Sequence, residues 1–162
     1  MSEDTRYDAE RIRRLLAMDG LAMVSSLIAD GVPHSPFTAG LSMTVTDVRR
    51  GRVEMTLVAQ ERHTTHSGIV HGGVLATLCD SACGYAVQSL LPAGQYALGA
   101  DLHLRFLRPA RTGPEPLRCI ATARQPVGSS ILAEAELLGP QGALLAHATA
   151  TILPRHPGTN PA

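Results

Sequence analysis

Residues 63–80 read HTTHSGIVHGGVLATLCD. These eighteen residues hold three histidines (His63, His66, His71), three glycines (Gly68, Gly72, Gly73) and Asp80, and here the chain changes character. Beyond Gly73 the apolar residues Val74, Leu75, Leu78, Ala82, Tyr85, Ala86 and Leu90 recur at helical spacing, and Pro92 and Gly94 stop the run. The apolar set is wide for a helix surface, so this helix is expected to be buried.

The flanks read as strands. Upstream, strand character is expected from Phe37. Val45 to Arg50 leads into a turn at Gly51, and Val53, Met55 and Leu57 then alternate with Glu54, Thr56 and Val58. Downstream, Leu98, Ala100, Leu102, Leu104 and Phe106 alternate with Gly99, Asp101, His103 and Arg105. Strands over 118–127 and 130–138 are separated by Gly128, and a turn at 139–142 precedes a last strand over 143–153. Residues 4–30 read as helical, broken or bent at Asp19-Gly20 and ended by Gly31 and Pro33. The order predicts an α+β domain, a six-stranded antiparallel sheet packed on one long central helix, with an extra N-terminal helix. Residues 1–35 are then an N-terminal helical extension, 36–154 the folded domain, and 155–162 a disordered tail.

Composition narrows the function. A chain of 162 residues with 44% apolar and 17% charged content suits one soluble domain. Fourteen basic residues, all arginine, balance fourteen carboxylates, which argues against nucleic acid as a partner. Five aromatic residues are too few for a base-stacking platform. Three cysteines make no disulfide framework and suit a reducing compartment. The N-terminus is charged from its third residue, unlike a signal peptide, and the apolar stretch over 20–28 is too short to span a bilayer. The expectation is a cytoplasmic protein with no membrane partner.

The histidine-rich loop allows several chemistries. His63 and His66 form HxxH and His71 follows, a set that zinc could use. However, no carboxylate stands between them and the loop does not fix them on one helical face, so no metal is expected. Cys79 and Cys83 lie more than a turn into the helix and read as small hydrophobes. The helix start offers more. The first N–H groups of a helix are unpaired and partially positive, so a helix beginning at Gly72-Gly73 presents donors to a polarised carbonyl oxygen. The same glycines equally suit tight helix–sheet packing. Asp80 falls among apolar neighbours and is expected to be at least partly buried, either paired with an arginine or used chemically. Eight residues of helix separate Gly72 from Asp80 by about 12 Å, too far for both to reach one carbonyl. If they act together, the aspartate comes from a second chain, in a symmetric dimer with two equivalent interface sites. Gly84 and Ala86 suggest room near the site, with Tyr85 and Met23 to close it.

GIVHGGVLATLCDSACGYA, from Gly68 to Ala86, resembles the signature of PaaI-type acyl-CoA thioesterases of the hotdog fold. ADLHLRFLRPAR, from Ala100 to Arg111, resembles their following strand, and Gly142 to Leu153 their last one, so the resemblance covers residues 36–154. It implies hydrolysis of acyl-CoA thioesters by dimers, often paired into tetramers, without cofactor or metal. It also implies roles: Asp80 as base or nucleophile, the Gly72 N–H as oxyanion donor, and His71 shaping the turn beside the thioester. Gly68, Gly73, His66 and Gly84 are implied as substrate-binding positions.

Two departures stand out. Relatives often carry Asn or Gln where this chain has Thr65, whose hydroxyl replaces an amide only in part. Ser129 stands where a basic residue is common, so contacts to CoA phosphates fall to Arg105, Arg108 or Arg111. Two other readings stay open: an acyl-CoA-binding protein without turnover, and a hydroxyacyl-thioester dehydratase using a histidine and a carboxylate. No G-x-S-x-G elbow, GxGxxG or P-loop is present.

Overall fold

The computed structural model describes residues 9–29 and 35–158. Helices α1 (Ala9–Leu16), α2 (Gly20–Ala29) and α3 (Pro36–Gly40) precede the hairpin of β1 (Met43–Arg49) and β2 (Arg52–Leu57). The long helix α4 (Gly72–Gln88) follows, then β3 (Tyr96–Phe106), β4 (Leu117–Val127), β5 (Ser130–Leu138) and β6 (Leu144–Arg155). The six strands form one sheet in the order β1-β2-β4-β5-β6-β3, with every neighbouring pair antiparallel. Helix α4 packs across one face of this sheet, which is the hotdog arrangement. No helix among the described residues is long and apolar enough to cross a membrane.

Period-two alternation builds the core. Val53, Met55 and Leu57 of β2 and Leu117, Cys119 and Ala121 of β4 point inward and are buried. On β5 and β6 the inward positions are mostly alanine (Ala133, Ala135, Ala146, Ala148, Ala150), and these small side chains leave depth for a helix. Leu75, Leu78, Cys79, Ala82, Cys83 and Ala86 of α4 fill it. Ser89, fully buried at the end of α4, ties helix to hairpin. Its hydroxyl accepts from the Gly51 N–H at 2.8 Å and lies 2.7 Å from the Ala86 carbonyl. Gly51 itself turns the hairpin with a positive φ of 75°.

The expected break at Asp19-Gly20 is present: the helical stretch is two helices, because the Asp19 carboxylate accepts from the Ala22 N–H at 3.0 Å and starts α2 afresh; residues 4–8 and 30–33 lie outside the described residues. The structure departs from the sequence reading in three places. Phe37 stands not on a strand but in α3, which Ser35 and Thr38 cap reciprocally with Pro36 in the first turn. On β3 the expected apolar face breaks at a bulge: Gly99 pairs with Ile152 and Asp101 with Thr151, leaving Ala100 as an extra residue. The bulge switches faces. Gly99, not Leu98 or Ala100, points toward α4, while Leu98 is 43% exposed. The Asp101 carboxylate accepts from the Thr151 N–H at 3.1 Å and holds the irregular pairing. β6 continues through Arg155, beyond the expected end at Leu153.

Candidate active site

The loop before α4 is shaped by its own backbone. The Thr65 N–H donates to the Ile69 carbonyl at 2.8 Å and the Gly68 N–H to the Thr65 carbonyl at 3.0 Å. Gly68 takes a φ of 74°, the left-handed region that favours glycine. The Thr65 hydroxyl accepts from the Ser67 N–H at 3.2 Å, so it is engaged within the turn. Val70 then donates to the Ala110 carbonyl and His71 to the His63 carbonyl, which pins the chain just before the helix.

The three histidines do not converge. His63 is 2% exposed, whereas His66 and His71 face solvent. No group of three metal-ligating side chains occurs among the described residues. Buried beneath the loop, His63 accepts at Nδ1 from the Gln60 N–H at 3.1 Å. Desolvation, followed by the Arg62 charge, holds its pKa below the ordinary histidine value. The buried ring is a neutral prop under the loop.

His71 is the N-cap of α4. Its Nδ1 accepts from the Gly73 N–H at 2.9 Å, which assigns the ring proton to Nε2. The Gly72 N–H, by contrast, has no partner among the described residues. It opens on a cavity of about 400 Å³ lined by Ile69, Leu75, Phe106, Leu107 and Arg108. A Cβ on Gly72 would come within 2.9 Å of the Phe106 ring, so glycine lets this aromatic close over the helix start. One bare donor remains at the positive end of a seventeen-residue helix.

Asp80 lies on the same helix but opens on a different cavity, of about 350 Å³, shared with Ser81, Gly84, Tyr85, Tyr96 and Gly99. The carboxylate has no hydrogen bond or ion pair among the described residues, so no arginine neutralises it. In the single chain Asp80 is exposed on one side and crowded by the cavity wall on the other. This partial burial desolvates its carboxyl and raises its pKa above the ordinary aspartate value. Gly99 forms part of that wall; a Cβ there would lie 3.6 Å from Asp80 Oδ1. Gly84, one turn further along the helix, would meet nothing within 4 Å if given a Cβ.

One chain therefore brings Gly72 and Arg108 together at the first cavity and Asp80 and Gly84 together at the second. It does not unite the two sets. Arg108 is itself engaged, donating to the Leu144 carbonyl at 2.7 Å, while Arg105 is exposed on β3. Ala86 is fully buried in the core and lines neither cavity. The cysteines are packed inside, and burial pushes the Cys83 thiol up to about 12, which removes it as a nucleophile at neutral pH. Sequence reading missed Gly99, Ser81, Phe106 and Phe37. An isolated glycine inside an alternating strand was the available signal for Gly99.

The model of the Thioesterase superfamily matches residues 67–146. The chain is 38% identical over 100 residues to a Halobacterium salinarum protein named "Putative esterase", covering 59% of this chain and 64% of that one. It is 37% identical over 82 residues to a Deinococcus radiodurans protein of the same name, covering 51% and 53%. The chain thus spans less than two thirds of the length of these curated relatives. Among solved structures, a thioesterase family protein from Silicibacter pomeroyi superposes with a TM-score of 0.72 at 27% identity, covering 82% of this chain and 98% of the other. The E. coli PaaI protein of the phenylacetic acid degradation operon superposes with a TM-score of 0.71 over 80% and 91%; at 20% identity it bears on the fold alone.

Proposed function

We propose that this chain, which has the hotdog fold and matches the Thioesterase superfamily over residues 67–146, is a thioesterase that hydrolyses an acyl-CoA thioester to the free acid and CoA. The observation that carries the reading is the division of labour along α4. An unpaired N–H at Gly72 and an unpaired carboxylate at Asp80 open on two separate cavities of one chain. Each cavity is half of a site. In a twofold dimer, Gly72 of one protomer faces Asp80 of its partner, and two equivalent sites form.

The chemistry follows from these two groups. The thioester carbonyl oxygen takes the Gly72 N–H, where the helix dipole favours the developing oxyanion. Asp80 accepts a proton from water, whose oxygen attacks the carbonyl carbon. The C–S bond then breaks and the proton passes from Asp80 to the departing CoA sulfur. Direct attack by the carboxylate, giving an anhydride that water opens, uses the same residues. The raised Asp80 pKa suits proton transfer in either direction. His71 keeps the helix start open by capping Gly73 and leaving Gly72 free. Gly68, Gly73 and His66 shape the approach to the thioester, and the exposed Arg105, with Arg108 beside the first cavity, meets the CoA phosphates.

One observation favours a second reading. Position 65 carries a threonine rather than an amide, and its hydroxyl already accepts from the Ser67 N–H, which leaves less to orient water and suits an acyl-CoA-binding protein without turnover. Release of free thiol from a panel of aryl-, short- and medium-chain acyl-CoAs separates the two. Hydrolysis by the native protein, falling by about 10²–10⁴-fold in Asp80→Asn, is the expected result. Binding without thiol release establishes the second reading, and full activity in Asp80→Asn removes Asp80 from the chemistry.

A further inference from the structure

Resting on the thioester-hydrolase reading, we propose that helices α2 and α3, through Met23 and Phe37, set the size of the acyl group held beside Asp80 and restrict it to compact groups. The cavity at Asp80 is walled by the sheet and α4 on one side and by α2 and α3 on the other, with Met23, Phe37 and Thr38 contributing directly. One chain contributes about 350 Å³ of this space, and the Met23 and Phe37 side chains stand at its wall.

The wall is held in place. Gly20 lies so close to the end of α4 that a Cβ there would sit 1.6 Å from the Gln88 carbonyl oxygen, and its N–H donates to Leu91 at 2.9 Å. Val24 and Leu27 bury the inner face of α2, and the reciprocal Ser35–Thr38 cap fixes α3, from which Phe37 projects, 65% exposed, at the rim. Several polar groups at this wall are engaged with one another or with backbone, which leaves the Ser81 and Tyr96 hydroxyls and Asp80 facing the acyl group. The Gln88 amide accepts from Ala97 at 2.9 Å and donates to Gln95 at 3.2 Å, and the Ser35 and Thr38 hydroxyls bond each other. Bulky side chains narrow the space, through Phe37, Tyr85, Tyr96 and Met23. Gly84 leaves open the floor one turn from Asp80, which is where a compact group fits.

The test compares free-thiol release from butyryl-, benzoyl- and decanoyl-CoA by the native protein, Met23→Ala, Phe37→Ala and Gly84→Leu, each checked for folding by circular dichroism. Native protein is expected to prefer butyryl or benzoyl over decanoyl. Met23→Ala and Phe37→Ala raise the decanoyl-to-butyryl ratio of kcat/KM by about 10-fold or more, and Gly84→Leu lowers it, in line with the discrimination that a few methylenes give. Should a variant fail to fold, Gly84→Ala carries the test, because its Cβ meets nothing and a shift away from benzoyl is then expected. Native turnover with ratios unchanged across the folded variants overturns this inference and leaves the hydrolase reading standing. Absence of turnover on every CoA thioester overturns both.

Discussion

Two inactive variants mixed together should regain activity, by an amount that the geometry specifies. Asp80→Asn removes the carboxylate from the second cavity with little change in shape. Its counterpart must remove the Gly72 N–H without damaging the helix, and proline does so. Gly72 is the first helical residue, where proline is favoured, and His71 already has the extended backbone (φ −61°, ψ 134°) that a following proline requires. Phe106, which faces Gly72, is 55% exposed and free to turn aside. Loss of the oxyanion donor is worth about 10²–10³ in kcat, and loss of the base about 10²–10⁴. About 12 Å of helix separates the two groups, so neither mutation touches the other within one chain.

If each site joins Asp80 of one chain to Gly72 of the other, a mixed dimer concentrates both lesions in one site and leaves its twin intact. Random reassociation makes half of the dimers mixed, with one intact site of two, so the mixture recovers about a quarter of native kcat per chain. The assay is thiol release after co-denaturation and joint refolding at equal concentration, with each variant refolded alone as the baseline. Recovery near a quarter supports the composite site. Activity no higher than the separately refolded variants refutes it, because sites contained within one chain leave the mixed dimer with none intact.

Asp80 also links function to stability. Desolvation raises its folded carboxyl pKa, so the native fold loses stability relative to Asp80→Asn as pH rises from the ordinary aspartate range through the raised value; melts across pH should show the variant higher above that window and equal to native below it. Ser89→Ala strands the buried Gly51 N–H, at a cost of about 1–3 kcal/mol, each worth roughly 2–4 °C in a chain of this size. A thermal melt unchanged from native would show that another group satisfies Gly51. His71→Ala removes the α4 cap and costs about 1 kcal/mol, whereas His71→Asn, whose amide oxygen can accept from Gly73, should recover most of it in a urea titration. Equal losses in both would mean that the imidazole stabilises α4 by some means other than capping.

Legibility in the sequence tracked the range of the interactions. The buried helix, the β1–β2 hairpin and the four later strands announced themselves because apolar periodicity is local, and β5 begins and ends where the alternation does. The break at Asp19-Gly20 was legible for the same reason, since a cap needs only three residues. The capping box Ser35-Pro36-Phe37-Thr38 was equally local and went unread, so Phe37 was assigned to a strand rather than to a pocket rim.

By itself, then, the sequence determined the sheet-and-helix plan, the residues HGG at the helix start and the spacing that keeps Gly72 and Asp80 apart. All of these follow from contacts within a few turns of chain. Only the tertiary structure decided that His63 lies inside while His71 caps the helix, that the Thr65 hydroxyl is engaged in its own turn, and that Asp80 stands exposed beside Gly99. The Gly99 placement depends on a one-residue bulge in a pairing between strands some fifty residues apart, and such a slip changes which face every later side chain takes without changing the local pattern.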